Sequence, residues 1–120
     1  MLSLPPAVRI FVARDATDLR KSFDALGALV PRVLGEDPFS GHVFCFFNRR
    51  RDRVKLLVWD RSGFWLFYKR LEGGRFPVPA PGGAARVEWT ARDLFLVLEG
   101  IELTAVRQRP RYARPAPGST

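Results

Sequence analysis

Cysteine and histidine are nearly missing from this 120-residue chain, which has one of each, Cys45 and His42. A single cysteine builds no intramolecular disulfide framework and no Cys-based zinc site, and a single histidine assembles no His-based one. Cys45 lies between Phe44 and Phe46, where apolar surroundings raise a thiol pKa and dull its nucleophilicity, so it reads as core. Long apolar runs are absent too: none reaches the ~18 residues of a membrane helix. The opening Met1-Leu2-Ser3-Leu4-Pro5-Pro6 has neither the basic start nor the apolar stretch of a secretory signal. Together these point to a soluble protein in a reducing, cytoplasmic setting.

Catalytic sets are equally thin. No glycine pair is followed by Lys-Ser or Lys-Thr, which excludes a Walker loop. Asp52 and Asp60 fall at opposite ends of one predicted strand, ~25 Å apart when extended, too far to share a metal. Asp15, Asp18 and Asp24 are explained by helix capping and a solvated helix face. His42, just before a strand, reads as a hydrogen-bonded edge residue rather than a base. A non-enzyme is therefore expected, with no catalytic residue, no metal site and no cofactor.

What the chain does have is aromatic and cationic. From His42 to Leu71 three dense apolar runs are separated by the turn clusters 48–52 and 60–63, the pattern of an antiparallel β-meander over 42–71. Val43, Cys45 and Phe47 fill one parity of its first strand and Phe44 and Phe46 the other, so that strand should be central and covered on both faces. The first helix supplies one cover, and the last helix or a partner protein the other. Val8, Ile10 and Val12 alternate as a strand ending near Arg14. Asp15, Thr17 and Asp18 then offer capping oxygens to a helix over about 18–34, with Leu19, Phe23, Leu26, Val30 and Val33 or Leu34 as its buried stripe. Pro31 cannot donate to the Gly27 carbonyl, so that helix should kink or end near Val30. Residues 72–84 read as loop, 86–89 as a short strand, and Thr90 to Asp93 as a capping box opening a helix over about 90–100 that Gly100 ends. The expected fold is α+β: a mainly antiparallel sheet of four to five strands with two packed helices, one globular domain over 1–103, and a disordered Arg/Pro-rich tail over 104–120.

The formal charge of +8 is unevenly distributed. Residues 49–75 hold nine Lys or Arg against Asp52, Asp60 and Glu72, a net +6. The tail adds Arg107, Arg109, Arg111 and Arg114 without an acid. Such segregation suits a polyanion, and nucleic acid is the commonest one a soluble protein meets, although an Arg-rich composition also solvates turns without any ligand. Arg49, Arg50, Arg51, Arg53 and Lys55 crowd the first meander turn and its outgoing strand, where guanidiniums can engage phosphates bidentately; Lys69 and Arg70 follow. Trp59, Trp65, Phe67 and Tyr68 either stack on bases beside these cations or serve as core. Arg20 and Lys21 either add a second phosphate contact or pair with Asp24 along the helix.

Four ordered blocks carry a resemblance. They are Asp18-Leu19-Arg20-Lys21-Ser22-Phe23-Asp24-Ala25-Leu26, Asp37-Pro38-Phe39-Ser40-Gly41-His42-Val43-Phe44, the run from Asn48 to Asp60, and Lys69-Arg70-Leu71-Glu72-Gly73-Gly74-Arg75-Phe76. With Leu98-Glu99-Gly100-Ile101, they closely resemble the TnpB accessory-protein family of bacterial transposable elements of the insertion sequence 66 type, over roughly residues 8 to 103. Two departures stand out: Arg14-Asp15-Ala16-Thr17 replaces a small Gly-containing link, and Ala25 stands where Gly is frequent. The resemblance implies a small protein encoded beside a helix-turn-helix accessory protein and a separate acidic-triad transposase, and needed with them for efficient transposition. The RNA-guided nucleases that share the name are much longer and carry zinc-binding cysteines, and nothing carries over from them. The expected function is that of a non-catalytic transposition accessory factor. It would bind element-end DNA, the transposase or both through the basic turn, or act as a pure protein–protein adaptor without DNA contact, with a divalent-metal nuclease as the third and least favoured alternative.

Overall fold

The computed structural model describes residues 7–78 and 83–100. The expected disordered tail over 104–120 lies outside them. Five strands, β1 (Ile10–Ala13), β2 (Val43–Phe47), β3 (Arg53–Trp59), β4 (Phe64–Arg70) and β5 (Arg86–Trp89), form one sheet in the order β4-β3-β2-β1-β5. Two helices, α1 (Phe23–Leu29) and α2 (Ala91–Leu98), complete the α+β fold. β2, β3 and β4 are the expected antiparallel meander, with Phe44 opposite Leu57 and Leu56 opposite Phe67. β1 makes the sheet mixed: it runs parallel to β2, with Ile10 opposite Val43, and antiparallel to β5, with Ile10 opposite Trp89. A parallel neighbour requires a crossover connection, and residues 14–42, which contain α1, supply it.

β1 and β2 are buried at every position, so the sheet carries a core on each face. Phe11, Phe44, Phe46 and Leu57 meet Leu19, Leu26, Val30 and Leu34 on the α1 side. On the other side Ile10, Val12, Val43, Cys45, Phe47 and Leu56 meet Leu94 and Val97 of α2, together with Phe76 and Trp89. The second cover of the central strand is thus the last helix. Burial pushes the Cys45 thiol well above its ordinary range, which leaves it a small apolar side chain.

The first helix starts later than the capping acids suggest. The Asp18 carboxylate accepts the Arg20 backbone N–H at 3.0 Å and the Arg20 guanidinium as well. The Thr17 N–H is taken by the Phe47 carbonyl at 2.8 Å. These bonds hold residues 14–22 as an irregular strap along the end of β2, and the helix begins only after Ser22. Leu19 is buried from the strap, whereas Phe23, expected in the buried stripe, is 43% exposed. Pro31 acts as its chemistry demands: α1 stops at Leu29 and the chain continues as a π-helical turn over Val30–Leu34. Gly35, at φ 64°, closes that turn in the left-handed region. α2 opens on the expected capping box, with the Asp93 N–H donating to Thr90 Oγ1 at 3.0 Å and the Thr90 N–H to Asp93 Oδ2 at 3.3 Å.

Candidate nucleic-acid interface

Asn48 builds the first meander turn. Its side-chain oxygen accepts the N–H groups of Asp52 at 3.1 Å and Arg53 at 3.0 Å, and its amide donates to Asp52 Oδ1 at 2.6 Å. That amide, followed by the fields of Arg53 and Arg50, holds the Asp52 carboxyl below the usual carboxylate range. The turn closes with Arg51 at φ 61°, in the left-handed region, and the Arg51 carbonyl then accepts the Phe76 N–H at 2.6 Å. The two halves of the arginine run therefore leave the turn in different directions.

One direction leads to a groove of about 620 Å³ on the α1 side of the sheet. Residues 16–20 of the strap line one part of it, residues 48–50 of the turn another, and Arg53, Lys55 and Tyr68 the sheet portion. Register explains the last three. Arg53, Lys55 and Leu57 share one parity of β3, and Lys55 lies opposite Tyr68 and Arg53 opposite Arg70. Arg51 is absent from this groove and lines a separate depression with Arg14, Asp15 and Val78.

The nine cations singled out in the sequence thus separate by role. Arg49, Arg50 and Arg53 reach the groove and are exposed, and their guanidiniums make no hydrogen bond or ion pair among the described residues. Arg20 also lines it, but its guanidinium is held by Asp18 at 2.7 Å rather than by Asp24, and the same pair depresses the Asp18 carboxyl and raises the Arg20 pKa. Lys55 is 7% exposed and is not a turn residue. Its ammonium donates to the Lys21 carbonyl at 2.8 Å and sits 4.9 Å from the centre of the Tyr68 ring, so it braces the strap against the sheet. Lys21 contributes that carbonyl and does not line the groove. Arg70 pairs with Glu72 at 3.2 Å beside the groove. Lys69 lies on the opposite face, where its ammonium caps the Leu98 carbonyl of α2 at 2.7 Å.

Of the aromatic candidates, Tyr68 alone lines the groove, and it is 55% exposed. Trp59 packs with Phe39 and Phe64 at ring separations of 5.0 Å. Trp65 and Phe67 stack on each other on the α2 face. His42 is the hydrogen-bonded residue its position suggests, with Nδ1 accepting the Arg9 N–H at 2.9 Å. Asp52 and Asp60 flank β3 at opposite ends, and Asp60 is engaged by Trp65 Nε1 at 2.5 Å and by the Ser62 and Gly63 N–H groups. These bonds, that of Trp65 first, hold its carboxyl low. The keystone role of Asn48 and the groove-lining strap were missed in the sequence. An Asn four residues ahead of an Asp in a hairpin turn is the available signal for the first, and nothing local marks the second.

The sequence model of the family described as IS66 Orf2-like protein matches residues 8–108, nearly the whole chain. The chain belongs to that family. Two relatives from Sinorhizobium fredii are similar along almost their full length. Uncharacterized protein y4jC is 34% identical over 110 residues, covering 92% of this chain and 93% of its own. Uncharacterized protein y4hO is 37% identical over 103 residues, covering 85% and 88%. No solved structure matches. As an IS66 Orf2-like protein the chain has a transposition-associated accessory role. Among the described residues, no helix is long and apolar enough to cross a membrane.

Proposed function

We propose that this IS66 Orf2-like protein serves transposition by holding DNA of the element ends on the groove formed by Arg49, Arg50, Arg53 and Tyr68, without chemistry of its own. The observation that carries the reading is the allocation of acids. Arg9, Arg20, Arg70 and Arg86 each have a carboxylate partner, whereas Arg49, Arg50 and Arg53, three of the four arginines lining the groove, have none in hydrogen-bond or ion-pair contact among the described residues. Exposed guanidiniums engage phosphate bidentately with little desolvation cost, and a neighbouring exposed phenol ring offers a base a stacking surface. Phosphate contacts carry no sequence information, so choice of site would fall to the transposase and the helix-turn-helix accessory protein working beside it. Reduced Cys45 in the core accords with a cytoplasmic setting for that work.

The test is a salt series of binding to duplex and single-stranded element-end DNA, with the Arg49/Arg50/Arg53→Ala variant alongside. The logarithm of affinity should fall with the logarithm of salt by ~0.9 per phosphate contact on duplex, and the variant should flatten that slope by about two to three. An Arg51→Ala variant, outside the groove, should keep the wild-type slope. Equal and weak binding by wild type and triple variant would refute the phosphate clamp. A complex with the transposase formed without DNA would then favour the adaptor role.

A further inference from the structure

β4 is an edge strand seven residues long, and among the described residues nothing pairs with its outer side. Which of its backbone groups face outward follows from the register. The Asp60 N–H bonds to the Gly63 carbonyl and the Leu71 N–H to the Asp52 carbonyl. Residues of odd number in β4 therefore bond inward to β3, and Phe64, Leu66, Tyr68 and Arg70 direct their N–H and C=O groups away from the sheet. The edge also departs from the usual protections. It has no proline or bulge, its charged residues Lys69 and Arg70 are confined to one end, and Trp65 and Phe67 stand 56% and 37% exposed on the α2 face. On that face Leu94 and Val97 of α2 share a core with Val54 and Leu56, and Trp65 lies outside it. Between α2 and β4 lies an apolar groove of about 330 Å³, lined by Phe67, Leu94, Phe95 and Leu98 among others.

We propose that β4 pairs antiparallel with β4 of a second copy of this chain, about a two-fold axis through Phe67, to make a continuous ten-stranded sheet in a symmetric dimer. Two neighbouring strands with the same outward set can match only at registers that place even numbers opposite even numbers. Centring on Phe67 puts Phe64 opposite Arg70 and Leu66 opposite Tyr68, so every outward N–H and C=O of the strand finds a partner. That register also keeps like charges apart. Lys69 of each copy faces Trp65 of the other and Arg70 faces Phe64, so each cation meets a ring rather than a like charge. Shape agrees with charge: Trp65 of the second copy, directly opposite Lys69, lies over the apolar groove that Lys69 and Phe67 border. One patch thus provides both knob and socket, as a two-fold interface requires. The pairing rests on different residues from the DNA reading, since Trp65, Phe67 and most of the apolar groove lie on the face opposite the arginine groove and only Tyr68 borders both.

The experiment is sedimentation equilibrium of the full chain from about 1 to 100 μM, with Trp65→Lys alongside, followed by cysteine cross-linking to read the register. Wild type should be dimeric, and Trp65→Lys, which sets two ammonium groups face to face, should weaken association at least ten-fold with an unchanged circular dichroism spectrum. Phe67→Cys should cross-link to itself under oxidised glutathione, since a non-hydrogen-bonded antiparallel pair brings Cα atoms to about 4.5 Å, inside the disulfide range. Trp65→Cys should not, because its own equivalent lies four residues away along the seam. Buried Cys45 leaves both tests clean. A wild-type chain that stays monomeric at 100 μM, or a Trp65→Lys variant that associates as wild type does, overturns the dimer. Cross-linking of Trp65→Cys as efficient as that of Phe67→Cys overturns the register.

Discussion

Replacing Asn48 by Ala should cost about 2 kcal/mol of stability, because the turn depends on one side chain at two backbone groups. Asn48 Oδ1 accepts the N–H groups of both Asp52 and Arg53, at 3.1 and 3.0 Å. A neutral hydrogen bond of this kind is worth about 1 kcal/mol net, and alanine removes both, leaving one half-buried and one exposed donor to find water. For a domain of this size that loss lowers the melting temperature by about 10 °C and the urea midpoint by about 1–2 M, with an unchanged slope. Asn48→Asp separates the amide's contribution from the oxygen's. Aspartate can accept the same two N–H groups but cannot donate to Asp52, and it sets a second carboxylate where the amide stood at 2.6 Å. In the wild type the Asp52 carboxyl is held below its ordinary 3.8, so its contribution is present above that pH and is lost as pH falls through the folded value. In Asn48→Asp the two carboxylates raise each other, the folded state takes up protons more readily than the unfolded one, and stability rises as pH falls toward ~4. Urea melts of both proteins between about pH 3 and 6 should therefore slope in opposite directions. A loss below about 0.5 kcal/mol for Asn48→Ala, or parallel pH profiles for Asn48→Asp and wild type, would show that the bonds from Arg51 and Phe76 hold the turn without the side chain.

Arg51→Gly should stabilise the fold by about 1 kcal/mol in the same urea assay, since φ 61° strains an L-residue and the position bonds through its backbone. Lys55→Met keeps the buried stem but leaves the Lys21 carbonyl without its charged donor. It should cost about 1–2 kcal/mol and speed hydrogen exchange in residues 16–22 more than elsewhere. Thr90→Ala breaks the capping box and should cost about 1 kcal/mol, with Thr90→Ser close to wild type by thermal melting.

The meander was legible because its information is local. Dense β-branched and aromatic runs over 43–47 and 53–59, broken by Asn-Arg-Arg-Arg-Asp and Asp-Arg-Ser-Gly, specify strands and hairpin turns without reference to distant residues. So did the Thr90 to Asp93 box, whose two bonds close within four residues. The partners of β1 were not legible, since its pairing to β2 and β5 spans the whole chain and four apolar residues carry no label for a neighbour. The late start of α1 was hidden for a different reason. Asp18 has the right side chain for a cap, but a guanidinium two residues on competes for the same carboxylate, and a bidentate charged bond outweighs a single capped N–H.

The same competition decides which arginines belong to the candidate site. Counting cations in the sequence treats Arg49, Arg50, Arg51, Arg53, Lys55, Lys69, Arg70, Arg20 and Lys21 alike, because their spacing shows density but not neutralisation. Neutralisation is set by geometry rather than by count: Asp18 takes Arg20 and Glu72 takes Arg70 from two residues away, while Glu88 and Glu36 are drawn to Arg9 and Arg86 across 79 and 50 positions. Parity then sorts the meander cations. Position 55 falls in phase with Leu57 and under the strap, which converts a lysine of the basic cluster into a brace, while position 69 falls on the α2 face and becomes a helix cap. Arg49, Arg50 and Arg53 remain because the turn's one acid, Asp52, is turned inward onto Asn48. An Asp52→Asn change removes that acid's field from beside Arg50 and Arg53 without touching a guanidinium, so it should tighten DNA binding at low salt and leave the number of phosphate contacts, and hence the salt slope, unchanged. A steeper slope in Asp52→Asn would show instead that the carboxylate competes with phosphate for one of the groove arginines.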